Sequence, residues 1–305
     1  MSRVLSKAAV LIKTETTPGV YETPNQVIKL ESLVLPNVEM DNVEISNYGF
    51  FSGTNDSITI SDWGKMNFDI VTSLYKSLSF YDNLFAISNL KKTATTTPYN
   101  GFVFTPETHS NQTASVDIVL PDRVFRSQGA KASFKMEGKV GDKVNVTFNV
   151  QSSFKERVIG TQAITDVPSE ECMIIRRLGG ITINDININL SEFSFDMGND
   201  IAYSKFTNIG EFHMKDYNPK LVLKMRLEDS GDDGFNELIA GATMDFIADL
   251  KDINGDVIWR LKIPKAKLSK QPDFEDNEGI FVISRDYNAI SINGDDNFEL
   301  FHFTH

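Results

Sequence analysis

The chain has 305 residues, 41% hydrophobic and 24% charged, and its 42 acidic and 30 basic residues give a formal net charge of -12. This is a globular balance in a chain long enough to bury a large core; it excludes a low-complexity disordered chain and disfavours a nucleic-acid grip built on phosphate neutralisation. One cysteine, Cys172, rules out an intrachain disulfide and leaves too few soft ligands for a structural zinc site, and no apolar run approaches a membrane span, so cytoplasmic synthesis is expected.

In chain order, the apolar run Ala8 to Ile12 is too short for a signal-peptide core and stops at Lys13, so residues 1 to about 30 read as an N-terminal extension. "NYGFFSGTND", Asn47 to Asp56, clusters Tyr48, Phe50 and Phe51 beside two glycines, which suits a hairpin loop whose aromatics contact a partner. Period-two alternation follows at Ser57 to Ile60, Lys65 to Val71, Val116 to Leu120, Ala132 to Glu137, Val144 to Val150, Ile181 to Phe195 and Leu221 to Leu227. Glycines between such runs, in Glu137 to Lys143, Ile253 to Val257 and Ile292 to Asn297, predict hairpins. Ser77 to Lys92 predicts one helix, with Lys91 and Lys92 at its C-terminal end; Asp232 to Leu250 starts as helix at Phe235 and switches to strand after Gly241. No internal repeat and no Pro/Gly/Ser linker divides the chain, so residues 1–305 read as one elaborated domain. The expected fold is mainly β, an antiparallel β-sandwich or barrel with one flanking helix.

"ITINDININLSEFSFDMGND", Ile181 to Asp200, carries only Asn, Thr, Ser, Asp and Glu on its polar side, with a turn or bulge expected at Asn184 and Asp185. Catalytic signatures are missing: no nucleophile with a base, no metal cage and no phosphate loop. The four histidines are scattered, and "DSGDDG", Asp229 to Gly234, fails the calcium-loop register. No enzyme activity, cofactor or metal is expected. The basic run Trp259 to Lys270 alternates with apolar residues, which fits an outer strand face or a contact with an acidic neighbour subunit better than DNA binding.

The segments "AAVLIKTETTPGVYETPN", "VIKLESLVLPNVEMDNVEISNYGFFSGTND", "YDNLFAISNL", "TPYNGFVFTP", "FRSQGAKASFKMEGKVGDKVNVTFNVQSSF", "SEFSFDMGNDIAY" and "INGDDNFELFHF" follow in an order that resembles the major tail tube proteins of Mu-like and siphophage-type long-tailed bacteriophages along the whole chain. Lys131 and Gln151 depart from that pattern. The resemblance implies a virion protein whose homo-hexameric rings stack into a tube around the tape-measure protein, meet a tail terminator at one end and baseplate or distal tail proteins at the other, and pass DNA without binding it specifically; no membrane partner is implied. On that reading the sheets of neighbouring subunits join, Tyr48, Phe50 and Phe51 contact the next ring, and Asp185, Asn187, Asn189 and Ser191 face the lumen. A lumenal lysine repeated around a ring would anchor phosphates, so the wall must be neutral to acidic. Other strands such as Lys65 to Val71 could line the channel instead, Leu221 to Leu227 being a weaker candidate because Lys220, Lys224 and Arg226 are basic, and an outer solvent face is the plain alternative for the strand from Ile181. The competing function is a β-sandwich binding module of a phage tail, for glycan or receptor, which would need a concave aromatic site.

Overall fold

The computed structural model describes residues 8–45, 56–78, 80–96, 100–162, 164, 171–175, 180–205, 210–226, 234–277 and 280–304. Alternating side chains build β1 (Ala9–Thr14), β2 (Gln26–Ile28), β3 (Asn37–Ile45), β4 (Asp56–Ser73), then α1 (Tyr81–Ile87), β5 (Leu90–Thr95), β6 (Gly101–Pro106), β7 (Ala114–Leu120), β8 (Arg123–Lys139) and β9 (Asn145–Ile159). There follow β10 (Ile181–Ile183), β11 (Ile186–Asn187), β12 (Leu190–Asp196), β13 (Asn199–Lys205), β14 (Gly210–Tyr217), β15 (Lys220–Arg226), α2 (Phe235–Ala240), β16 (Thr243–Lys251), β17 (Val257–Leu268), β18 (Asp273–Asn277), β19 (Ile280–Ala289) and β20 (Glu299–Phe303).

All pairings between these strands are antiparallel. One layer runs β3-β4-β9-β8-β12-β15-β19-β18. The other runs β5-β6-β20-β17-β16-β10, and the end of β17 meets β19 at Ala266 to Leu268, joining the layers at a corner. β7 and β1 extend the first half of β8. Between the layers lies the apolar core, with Phe134, Phe148, Phe193 and Phe195 from one side and Trp259, Leu261, Leu300 and Phe104 from the other, all at most 1% exposed. The sandwich expected from the alternation is therefore present.

The expected helix Ser77 to Lys92 is shorter in the structure. α1 ends after Ile87 because Asn89 takes a left-handed conformation (φ 58°) and turns the chain into β5, so Lys91 and Lys92 lie on a strand and not at a helix end. Tyr81, Leu84, Phe85 and Ile87 point into the core. α2 does begin at Phe235, ends at the left-handed Gly241 and passes into β16, as the sequence indicates.

The path of the chain repeats itself, which no sequence pattern announced. β3 and β4 form a hairpin, α1 follows, then the hairpin β5–β6 in the second layer, then the hairpin β8–β9 back in the first layer, where the order is β3-β4-β9-β8. β12 and β15 form a hairpin, α2 follows, then β16–β17 in the second layer, then β18–β19 back in the first layer, ordered β12-β15-β19-β18. A left-handed residue follows each helix, Asn89 directly before β5 and Gly241 two residues before the start of β16. The two units are joined edge to edge by β8 and β12.

Candidate assembly surface

The polar side of β12 is best understood from its neighbours. Glu192 lies opposite Lys139 of β8 and Lys224 of β15, while Asp196 lies opposite Lys135 and Lys220. Lys224 is 4.0 Å from Glu192 and Lys135 is 2.6 Å from Glu137. The strand lacks Lys and Arg because two flanking strands supply the cations, and opposite charges across a sheet are favourable where like charges are not. Sequence reading of the strand alone missed this.

The outer face of β4 and β9 is chemically different. Its register sets Asp69 opposite Asn149, Val71 opposite Thr147, and Asn67 opposite Gln151, with Ser133 of β8 opposite Asn149. Asn149 donates to the Asp69 carboxylate at 2.8 Å. Within this field β4 and β9 themselves carry one basic residue, Lys65 at its end, whose ammonium sits over the Tyr203 ring; Lys135 of β8 lies opposite Thr147 and is 2.6 Å from Glu137.

Two hairpins extend from the first layer at corresponding places, each the tip of the first hairpin of its unit. Residues Asp41–Ile45 and Asp56–Ile60 pair with each other, while pairing of β4 with β9 starts only at Lys65. The departure is at Gly64, where a Cβ would come within 2.8 Å of Met40 Sδ and 3.3 Å of Phe154 Cβ, and β3 carries a register shift at Met40. The other hairpin is β13–β14, held to the body by Asn199, whose amide donates to the carbonyls of Ser88 and Ala132 at 3.0 and 2.9 Å. Among the described residues β3 pairs only with β4 and β18 only with β19, so both ends of the first layer are open edges.

Buried charge fastens the N-terminal segment. Glu15, 7% exposed, accepts from Gly19 N (2.7 Å), Thr113 Oγ1 (2.6 Å), Ser115 Oγ (2.8 Å) and Gly129 N (2.9 Å). Tyr21 donates its hydroxyl to the fully buried Asp117, with Arg126 at 3.9 Å; burial pushes the Asp117 carboxyl up to about 6, against the pull of Tyr21 and Arg126. Next to this segment a cleft of about 1160 Å³ opens toward β13–β14, with Lys131 in its wall. Lys131 donates to Asn89 Oδ1 at 2.9 Å and Ser110 O at 3.0 Å, and burial holds its ammonium down to about 8.

The sequence-selected residues do not form one strand face. Asn184 and Asp185 make a two-residue turn, both at positive φ, between the paired Ile183 and Ile186. Asn187 lies on β11, exposed, attached through β10 to the second layer; Asn189 is exposed between strands; Ser191 falls on a bulge of β12 in the first layer and donates to Lys224 O at 3.0 Å. That second slip of the alternation, at Ser191, moves the outward row to Glu192, Ser194 and Asp196. Tyr48, Phe50 and Phe51 lie outside the described residues, as do Asp229 to Asp233. The basic run is the half-buried β17: Trp259 is buried, Arg260 holds Asp249 at 2.5 and 2.9 Å, and Lys262 reaches Glu299 at 3.4 Å. Among the described residues no group of three or more His, Cys, Asp or Glu is placed to hold a metal ion.

A family model described as "Phage tail tube protein" matches residues 6–232, more than half of the chain and ending before α2. Comparison with curated proteins gives no match.

Proposed function

Because the chain belongs to the phage tail tube protein family, we propose that it is the repeating subunit of a tail tube whose rings stack around the tape-measure protein and let the genome pass at ejection. Its role is structural, its place the tail of the virion, and its first partner another copy of itself. Tail terminator and baseplate or distal tail proteins are the partners at the ends of the tube.

The single observation that carries this reading is the first layer: a continuous antiparallel face with paired charges or uncharged amides along it and, among the described residues, an unpaired edge at each end. Open edges template strand addition, and a ring removes them. We place the β4–β9 field of Asn67, Asp69, Thr147, Asn149 and Gln151 on the lumen, because amides and one acid offer DNA little to hold. Asp185, Asn187, Asn189 and Ser191 are the second reading, favoured by the exposure of Asn187 and Asn189.

Lysine at Asn149 tests the first reading, and lysine at both Asn187 and Asn189 the second. Tubes should assemble in either case. The variant whose lysines enter the channel should eject DNA slowly at low salt and recover as salt screens the phosphate contacts. Fast ejection from both variants would remove both strands from the lumen. Serine at Phe50 and Phe51 tests the proposed contact of Tyr48, Phe50 and Phe51 with the next ring: folded subunits that no longer polymerise are expected.

A further inference from the structure

The joint between the two units inside the chain shows what each open edge lacks. At β8–β12, Met136 pairs with Phe195 and Gly138 with Phe193, and Met136, Phe193 and Phe195 are wholly buried. Gly138 belongs to the closeness of this joint, since a Cβ there would fall 2.8 Å from Phe193 Cε1. β18 stands in the second unit where β8 stands in the first, as the outermost strand paired to the last one. Yet Phe274, opposite the buried Ile283, is 46% exposed, and Phe281 beside it is 55% exposed, their rings 5.7 Å apart. At the other end β3 stands where β12 stands, the first strand of its unit, with Leu33 and Leu35 exposed just before it. Each copy therefore lacks a first strand at β18 and offers one at β3.

We infer that β18 of one copy pairs antiparallel with β3 of a second copy, repeating across the molecular boundary the joint that β8 and β12 make within the chain, so that every copy supplies two sheet units to a ring. The contact is head-to-tail, with different patches on the two partners, which is the kind that closes into rings. Both edges are acidic, and part of that charge is offset within the chain: Asp273 is 2.8 Å from Lys270, Glu275 is 3.6 Å from Lys224, and Glu39 lies opposite Lys65. The inference rests on the tube reading and alters one of its expectations. A wall of six sheet units would contain three chains, and its true symmetry would be half its apparent one.

Tubes of the full-length protein test this by mass per layer and by end-on imaging. Expected are half as many chains per layer as sheet units, and a Phe274→Asp variant that stays folded by circular dichroism but elutes as monomer. In a Cys172→Ser background, cysteines at Glu39 and Glu275 should link copies through a short bifunctional maleimide into a ladder that ends at the number of chains in a ring. Tubes with as many chains as sheet units, normal tubes from Phe274→Asp, or no ladder would overturn the inference while leaving the tube reading in place. Unmodified protein that forms no ring or tube at all would overturn both.

Discussion

α1 and α2 occupy the same place in the two units and have opposite surroundings. α1 buries Tyr81, Leu84, Phe85 and Ile87, and the Phe85 ring lies 5.0 Å from Phe104, 5.6 Å from Phe134, 5.8 Å from Phe148 and 6.2 Å from Trp259. α2 buries none of its residues and leaves Phe235 44% and Ile239 71% exposed. The shared path does not require a shared core: the sequence YDNLFAI delivers four buried side chains to the space between the layers, whereas FNELIA buries none fully and only Leu238 packs, partly buried, against the core. α1 thus sits at the aromatic centre, to which the second unit contributes Phe195 and Trp259 from its strands.

Breaking that centre should have the largest effect. Phe85→Ala is expected to cost about 3–5 kcal/mol, read as a lower urea midpoint with monomeric protein, because it deletes a ring packed against Tyr81 as well as Phe104, Phe134, Phe148 and Trp259. A loss no greater than that of a surface substitution would mean that the two helices are equivalent after all. Next comes Glu15, a tether of the first unit. Glu15→Gln turns one acceptor oxygen into a donor facing donors, and about 2 kcal/mol should be lost, with the N-terminal segment opening first in hydrogen exchange.

Asp117 sharpens the comparison through pH. Its folded carboxyl titrates near 6, above its ordinary 3.8, so the native state takes up the proton first and stability rises as pH falls from about 6 toward 4. Asp117→Asn should flatten this part of the unfolding curve and leave the unfolding midpoint at pH 7 unchanged or raised; an unaltered pH profile would assign the titration to another group. The smallest effect is expected from Ile239→Ala on α2, within about 0.5 kcal/mol, since little contact is lost. A drop as large as that of Phe85→Ala would show that α2 carries core weight.

Strands were legible because alternation survives in them, and the Asn184–Asp185 turn because that dipeptide tolerates positive φ at both positions. Other features depend on partners far away in sequence. The Ser191 bulge shows only against β15, and the cations that explain β12 sit on β8 and β15. The end of α1 was misread because Lys91 and Lys92 suit a helix terminus equally well, until Asn89 turns the chain away. The repeated unit was invisible because it is a repeat of path, and its two helices share no pattern of buried residues. Of the candidate site, the polar stretch 181–200 was recognised, but its division between two layers was not, since a two-residue turn and a bulge together redirect it.

One strand binds the history of the whole chain together. β20 lies between β6 of the first unit and β17 of the second, pairing Leu300 with both Phe104 and Leu261. The first of these contacts closes a very long loop, which costs entropy before it returns any stability, so the second layer should be the slow step of folding. Until it forms, β6 and β17 present bare edges to any other chain in reach, and dilution during refolding should raise the yield of soluble subunit.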